Sequence, residues 1–333
     1  MLFNPIREFP TTHVLIDNDI NYLRGLSTIL PLQNKIYRYF LGAEEALIWI
    51  NRQPNKEEKI LSKDCDYNDI NSNFLVSGIS RVHESIYVED RFNSISTVIV
   101  DYDMPGLNGI ELCRLIKNTD IQKILITGFL GEKEARHALN KGWIDMFLPK
   151  GEDSSQKIAE LIYDAEYNYF KRSDFFLKTF ISHSKAEITE SEGFLKFFKE
   201  AFTESNAIEF YLLSPDGDYL FINAEGVTTG FSVQDARKRR ENFELAQELS
   251  VSDEILRGLK SGRILFCNSE IELPEARNWE HFIFPARVVD EKKDLLGAFS
   301  REVFFDKSCG IAAFKPVFDQ SINDAVKVLN GYR

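Results

Sequence analysis

Asp101 closes the run Thr97-Val98-Ile99-Val100, and the loop after it is punctuated by Met104-Pro105-Gly106 and ended by Asn108-Gly109. Four strand-formers in succession describe a strand buried on both faces of a parallel sheet, so its last residue holds a carboxylate at the sheet's carboxyl edge. That edge is where open α/β sheets keep their chemistry. Comparable groups recur at comparable points. Asp17-Asn18-Asp19 ends the apolar run of residues 13–16, Thr127 ends the strand of residues 123–127, and Lys150 follows the strand of residues 145–148 and Pro149. Acids for a hard divalent cation such as Mg²⁺, a carboxylate nucleophile, a hydroxyl donor and an ammonium together suit phosphoryl transfer to an aspartate. The cation would shield the attacking carboxylate from an anionic donor, and Lys150 and Thr127 would bind the oxygens of the new acyl phosphate. Each group alone has an ordinary explanation: Asp17 as a helix cap, Thr127 as a strand-end residue, Lys150 as a solvated charge. Four strand ends that each carry a suitable group argue as a set.

The elements that must position these groups follow a repeating pattern. After the first strand, Ile20, Leu23, Ser27 and Leu30 recur at helical spacing, with Asp17 or Asn18 placed to cap the helix. A strand over 36–40 leads through Gly42 into a helix carrying Ala46, Leu47 and Ile50. Beyond the Asp101 loop, Ile110, Cys113 and Ile116 mark one helix, Ala135, Ala138 and Leu139 another, and Ile158, Leu161, Ile162, Ala165 and Tyr169 a last one. Five βα units in succession imply an α/β domain over residues 8–172, with a doubly wound five-stranded parallel sheet covered by helices on both faces. Residues 51–93 interrupt it. This stretch is polar with apolar islands near 74–76 and 86–88, and it reads as an insertion forming a short helical excursion packed on the domain.

The second half has a different grammar. An aromatic-rich stretch from Tyr167 to Phe180 runs into a helical linker over 173–186, readable either as a hinge helix or as a dimerisation surface. From 187 to 333 the pattern is a smaller α+β domain with antiparallel strands. A helix with Phe194, Leu195, Phe198, Ala201 and Phe202 precedes a hairpin over 208–213 and 219–223, turned by Ser214-Pro215-Asp216-Gly217-Asp218. Helices over 235–249 and 253–259 and strands near 264–266, 281–287 and 296–305 complete it. No helix-turn-helix pattern, no GxxxxGK[ST] and no GxGxxG after a strand is present.

Composition narrows the partners. A net charge of -12 and a pI near 5.1 argue against a surface that coats nucleic acid. The one dense basic run, Arg237-Lys238-Arg239-Arg240, is followed by Glu241 and Glu244 and reads as a solvated helix face in preference to a DNA contact. Cys65, Cys113, Cys267 and Cys309 form no CxxC pair and read as reduced thiols. No apolar run approaches the ~18 residues needed to span a bilayer, and the opening MLFNPIREFP lacks a signal peptide's apolar core. The expectation is a cytoplasmic protein with no membrane contact. The five histidines are dispersed and none is assigned a catalytic role.

The set VIVDYDMPGLNG, ILITG, IDND and FLPK resembles the receiver domain of two-component response regulators, a flavodoxin-like fold, over roughly the first half of the chain. The resemblance implies Asp101 as phosphoacceptor, Asp103 as the residue whose carbonyl binds Mg²⁺, Gly109 as the glycine closing the loop, Thr127 as switch hydroxyl, Phe147 as switch aromatic and Lys150 as the conserved-type lysine. Asp17 and Asn18 stand where that family has two adjacent acids. A neutral amide there predicts weaker Mg²⁺ binding unless Asp19 turns inward, and Gly151 stands where the family commonly has proline. The layout, with an insertion before the phosphoacceptor strand and an output half without a DNA-binding motif, is similar to quorum-sensing response regulators of the LqsR type from Legionella. That resemblance implies phosphorylation by sensor histidine kinases and homodimerisation on phosphorylation; the chain is read as a self-catalysed phosphoacceptor and not as an enzyme, with the activity of the output half left open. Alternatives for the output half are binding or processing of a nucleotide, or direct DNA binding through Arg237 to Arg240.

Overall fold

The computed structural model describes residues 6–31, 34–53, 86–87, 89–128, 132–151, 154–174, 186–189, 191–214, 217–267, 283–301, 311 and 313–314. They fall into two compact units, one holding the described residues within 10–53 and 90–173, the other those within 6–9, 86–89 and 174–314. Most of the 51–93 excursion, the linker residues 175–185 and the chain beyond 314 lie outside the described residues.

A two-residue strand β1 (Arg7–Glu8) opens the described chain and belongs to the second unit. The first unit then runs β2 (Thr12–Ile16), α1 (Ile20–Ile29), β3 (Ile36–Phe40), α2 (Ala43–Arg52), β4 (Ile95–Asp101), α3 (Gly109–Leu115), β5 (Gln122–Thr127), α4 (Glu132–Asn140), β6 (Met146–Pro149) and α5 (Ser154–Ser173). Its five strands are parallel, in the order β3-β2-β4-β5-β6. Alternation along the buried strands gives the sheet two apolar faces. Val14, Ile16, Val98, Val100 and Leu125 pack with Ala46 and Ile50 of α2, Leu112 of α3 and Ala138 of α4, while Leu15, Ile99, Ile124 and Ile126 pack with Leu23 and Leu26 of α1 and Ile158 and Ile162 of α5. This is the doubly wound arrangement that the βα repeats imply.

The cap of α1 differs from expectation. Asp19, not Asp17 or Asn18, is the N-cap, and its carboxylate accepts from the backbone N–H groups of Asn21 and Tyr22. Asp17 is thereby released for the sheet edge. The helix stops at Leu30, next to Pro31, which disfavours helical backbone in the residue before it. At the amino-terminal side of the sheet a buried polar group was not anticipated. Glu166 of α5 accepts from Thr11 Oγ1 at 2.9 Å, meets His13 Nε2 at 3.2 Å and pairs with the Lys35 ammonium. Burial, and then the Lys35 charge, holds His13 well below the ordinary histidine value, so the imidazole is neutral at pH 7.

The second unit contains α6 (Ala186–Thr189), α7 (Glu192–Glu204), β7 (Ala207–Leu212), β8 (Tyr219–Asn223), β9 (Thr228–Gln234), α8 (Ala236–Glu248), α9 (Asp253–Lys260), β10 (Ile264–Phe266), β11 (Ile283–Pro285), β12 (Arg287–Asp290) and β13 (Leu295–Arg301). A six-stranded antiparallel sheet has the order β1-β7-β8-β9-β13-β12, and β10 and β11 pair separately. Phe194, Phe197 and Phe198, at helical spacing on α7, meet Phe210, Tyr219, Phe221 and Phe231 of the sheet, with the Phe198 and Phe221 ring centroids 4.9 Å apart. Contacts of this kind add about 0.5–1.5 kcal/mol each beyond area burial. Residues pointing to the other face make a polar seam: Asp218 accepts from Ser232 at 2.5 Å and Ser214 at 2.6 Å, and Gln234 and Asn242 both donate to the Phe266 carbonyl.

β1 docks on β7 with Arg7 opposite Tyr211, and the Arg7 guanidinium pairs at 3.0 Å with Asp174, both side chains being buried. Removing one partner of a buried pair strands the other charge at a cost of about 3–5 kcal/mol. Arg7→Leu is therefore expected to lower the stability of the second unit by about 3 kcal/mol, read as faster hydrogen exchange of β7 and β8 amides with β2 and β4 unchanged. His13 supplies a pH dependence. Its folded-state value lies below the unfolded 6.5, so the unfolded chain takes up the proton first and stability falls as pH drops below about 6.5. Relative to His13→Gln, the protein should lose about 1 kcal/mol between pH 6.5 and 5.5 in urea titrations; a difference that stays constant over that range would contradict this assignment.

Candidate functional site

The parallel register aligns the strand ends. Ile16 pairs with Phe40 and Val100, Asp101 with Ile126, and Thr127 with Pro149, which places Asp17, Asp101, Thr127 and Lys150 at one carboxyl edge. The last rung extends past β6: the Lys150 N–H donates to the Thr127 carbonyl at 2.7 Å. From there the ammonium turns to the middle of the edge, with Nζ 2.8 Å from Asp17 Oδ2 and 3.0 Å from Asp101 Oδ1. Asp17 and Asp101 are 2% and 4% exposed, so both carboxylates are drawn in from water and the same lysine answers both. Asp17 Oδ1 is fixed by the Asp19 N–H at 2.8 Å.

The electrostatics follow from burial. Burial pushes the Asp17 carboxyl up, and the hydrogen bonds from Lys150 and the Asp19 N–H only partly oppose it. For Lys150 burial acts downward, yet the hydrogen bonds to Asp17 and Asp101 outweigh it and hold the ammonium above its ordinary value. It is charged throughout the physiological range. A buried carboxyl still pushed up beside a lysine is one that further positive charge would favour. Two hard oxygen donors there suit a cation such as Mg²⁺, which keeps several waters and needs few protein ligands. Asp17, Asp101 and the Asp103 carbonyl would hold it. Among the described residues no cluster of three or more His, Cys, Asp or Glu side chains is arranged to hold a metal. Asn18 and Asp19 are exposed, and Asp19 stays engaged as the α1 cap instead of turning inward.

The loop after β4 is held tightly. Met104 is buried in the core beside α2, and Asn108 caps α3 by accepting from the Glu111 N–H. Gly109 is required by close approach, because a Cβ there would lie 2.3 Å from the Asp101 carbonyl oxygen and 2.9 Å from Leu125 Cδ1. Thr127 is buried and donates to the Gly128 carbonyl at 2.9 Å. Phe147, half-buried on β6, packs on the α2–α3–α4 side of the sheet and has the Arg136 guanidinium 5.9 Å from its ring centroid. Asp103 is exposed in the loop.

Sequence reasoning passed over Tyr22, whose ring centroid lies 4.7 Å from Lys150 Nζ. Its position three residues past the capping Asp19 was the available signal. The basic run 237–240 is largely engaged within the second unit. Arg237 pairs with Glu241, Lys238 is buried, and Arg239 binds the Gln234 carbonyl, the Asp294 carbonyl and the Asp294 carboxylate. Cys113 and Cys267 are free thiols; burial pushes Cys113 up to about 12, which keeps it unreactive.

Comparison with known structures agrees with this fold. The response regulator LqsR from Legionella pneumophila matches with a TM-score of 0.68 and 25% identity, over 98% of this chain and 96% of that one. The chain resembles a two-component response regulator with an N-terminal receiver domain. A CheY-like receiver domain from Methanospirillum hungatei, 15% identical, aligns with 49% of this chain and 98% of its own at a TM-score of 0.34. No protein-family model and no curated relative matches. Among the described residues no helix is long and apolar enough to cross a membrane.

Gly109→Ala tests how tightly the receiver loop is built. Overpacking against backbone costs about 1–3 kcal/mol, and the variant is expected to lose about 2 kcal/mol in urea unfolding. Stability within 0.5 kcal/mol of wild type would show a looser loop than this structure has.

Proposed function

We propose that this chain is a two-component response regulator that accepts a phosphoryl group on Asp101 from a phosphohistidine of a sensor histidine kinase. The observation that carries the reading is the Lys150 ammonium shared between Asp17 Oδ2 and Asp101 Oδ1. Lys150 holds one oxygen of Asp101, and the other is the nucleophile. As that oxygen bonds to phosphorus, the phosphorus–nitrogen bond of the donor breaks and the imidazole keeps the electron pair. Mg²⁺, when bound, neutralises charge on the incoming phosphoryl oxygens. Lys150 then exchanges a carboxylate partner for a phosphoryl oxygen, and Thr127 leaves the Gly128 carbonyl to donate to another. Withdrawal of Thr127 opens room on the β5–β6 side, where Phe147 follows.

The likeness to LqsR supports placing the chain in a quorum-sensing circuit, in the cytoplasm, with dimerisation of phosphorylated chains as the readout. The domain boundaries proposed are 8–172 for the receiver, apart from Glu8 and Phe9, which fold with the second unit, and 187–333 for the output half, joined by 173–186. The output half is proposed to act by binding and not by catalysis. The engagement of Arg237, Lys238 and Arg239 inside the second unit speaks against DNA contact through that run.

Incubation with a small acyl-phosphate donor and Mg²⁺ should give one acid-labile phosphoryl group by intact mass, absent in Asp101→Asn. Sedimentation should show a donor-dependent dimer for wild type alone. Labelling that persists in Asp101→Asn would overturn the site, and labelling without a sedimentation shift would overturn dimerisation as the readout.

A further inference from the structure

We propose that Tyr22 is a positioning residue for this site, its ring face seating the Lys150 ammonium so that an N–H is held toward the arriving phosphoryl group. The inference rests on the phosphoacceptor reading of Asp101. An ammonium on a four-carbon stem is a flexible point charge, and its usefulness at a reaction centre depends on what limits its swing. Here three groups do so. Asp17 Oδ2 and Asp101 Oδ1 lie at 2.8 and 3.0 Å, and the Tyr22 ring lies with its centroid 4.7 Å from Nζ. That distance is within the range of attraction between a cation and an aromatic ring.

The backbone makes the placement reproducible. Asp19 caps α1 and takes the Asn21 and Tyr22 N–H groups on its carboxylate, while the Asp19 N–H fixes Asp17. The turn from Asp17 to Tyr22 thus delivers a carboxylate and a ring to the same cation, and Tyr22 is anchored by packing against the core formed with α1 and α5. The ring matters most during transfer. When a phosphoryl oxygen replaces a carboxylate as the partner of Lys150, the contact with Tyr22 is the one that need not change.

Two substitutions in the full-length chain separate this role from packing. Tyr22→Leu keeps apolar bulk and removes the ring face, whereas Tyr22→Phe keeps the ring. Beryllofluoride, a phosphoryl mimic, is titrated in the presence of Mg²⁺, Mg²⁺ is titrated alone, and labelling by the acyl-phosphate donor is timed. Tyr22→Leu is expected to weaken mimic binding and slow labelling by about three- to tenfold, with Mg²⁺ affinity undiminished, and Tyr22→Phe to restore both to within about twofold of wild type. Wild-type behaviour of Tyr22→Leu, equal losses in Tyr22→Phe, or a parallel loss of Mg²⁺ affinity that marks a disordered site would each overturn the proposal. If wild type labels on Asp101 while Tyr22→Leu is unaffected, only the role of Tyr22 falls. If Asp101→Asn still labels, the phosphoacceptor reading falls and this inference with it.

Discussion

Two carboxylates and one ammonium, all drawn in from water at the end of a parallel sheet, set the constraint on which the first unit depends. Asp17 and Asp101 stand at the ends of neighbouring strands, where their charges would oppose each other in a medium that screens poorly. Lys150 reaches both at 2.8 and 3.0 Å, and its own backbone is fixed by the hydrogen bond to the Thr127 carbonyl. The balance is incomplete, as the raised Asp17 shows. An edge in this condition has room for more positive charge. This is what a switch requires: groups close enough to be strongly coupled, and a cation with more than one set of partners within reach.

The scaffold explains why the coupling is not dissipated. Core packing on both faces of β2, β4 and β5 fixes the strand ends, and Gly109 lets α3 start directly against the Asp101 carbonyl. Packed interiors repack between discrete arrangements more readily than they stretch. On the proposed reading, a phosphoryl group at Asp101 would meet resistance from the loop and the sheet. Thr127 is the group with a local alternative: its hydroxyl is bound to the adjacent Gly128 carbonyl, a partner it can exchange by a side-chain rotation.

Much of this edge was legible in the sequence because parallel strands write it in a local code. Each strand is a short apolar run, each site residue stands at the end of one, and a register match does the rest. What escaped was long-range or depended on a choice between neighbours. Asp19 was not separable from Asp17 and Asn18 as a cap, since three consecutive residues can all cap a helix. Arg7–Glu8 is too short to show a period, and its partner β7 lies in the other half of the chain. β9 was missed because Gly230 interrupts a short run whose strand character shows only once Phe231, Ser232 and Val233 are paired with their neighbours in the sheet. Glu166 was hidden within a helix; only the fold brings Thr11, His13 and Lys35 to it.

The ends of the first unit carry a last consequence. Two of the places where the chain passes between units are Phe9 to Pro10 and Ser173 to Asp174. On the side of the second unit these two crossings are tied to each other, Arg7 pairing with Asp174 in a buried contact. On the side of the first unit they are tied as well, since Glu166 of α5 binds Thr11. Each tie lies within a single unit and is buried, so breaking either one leaves a polar group without its partner inside that unit.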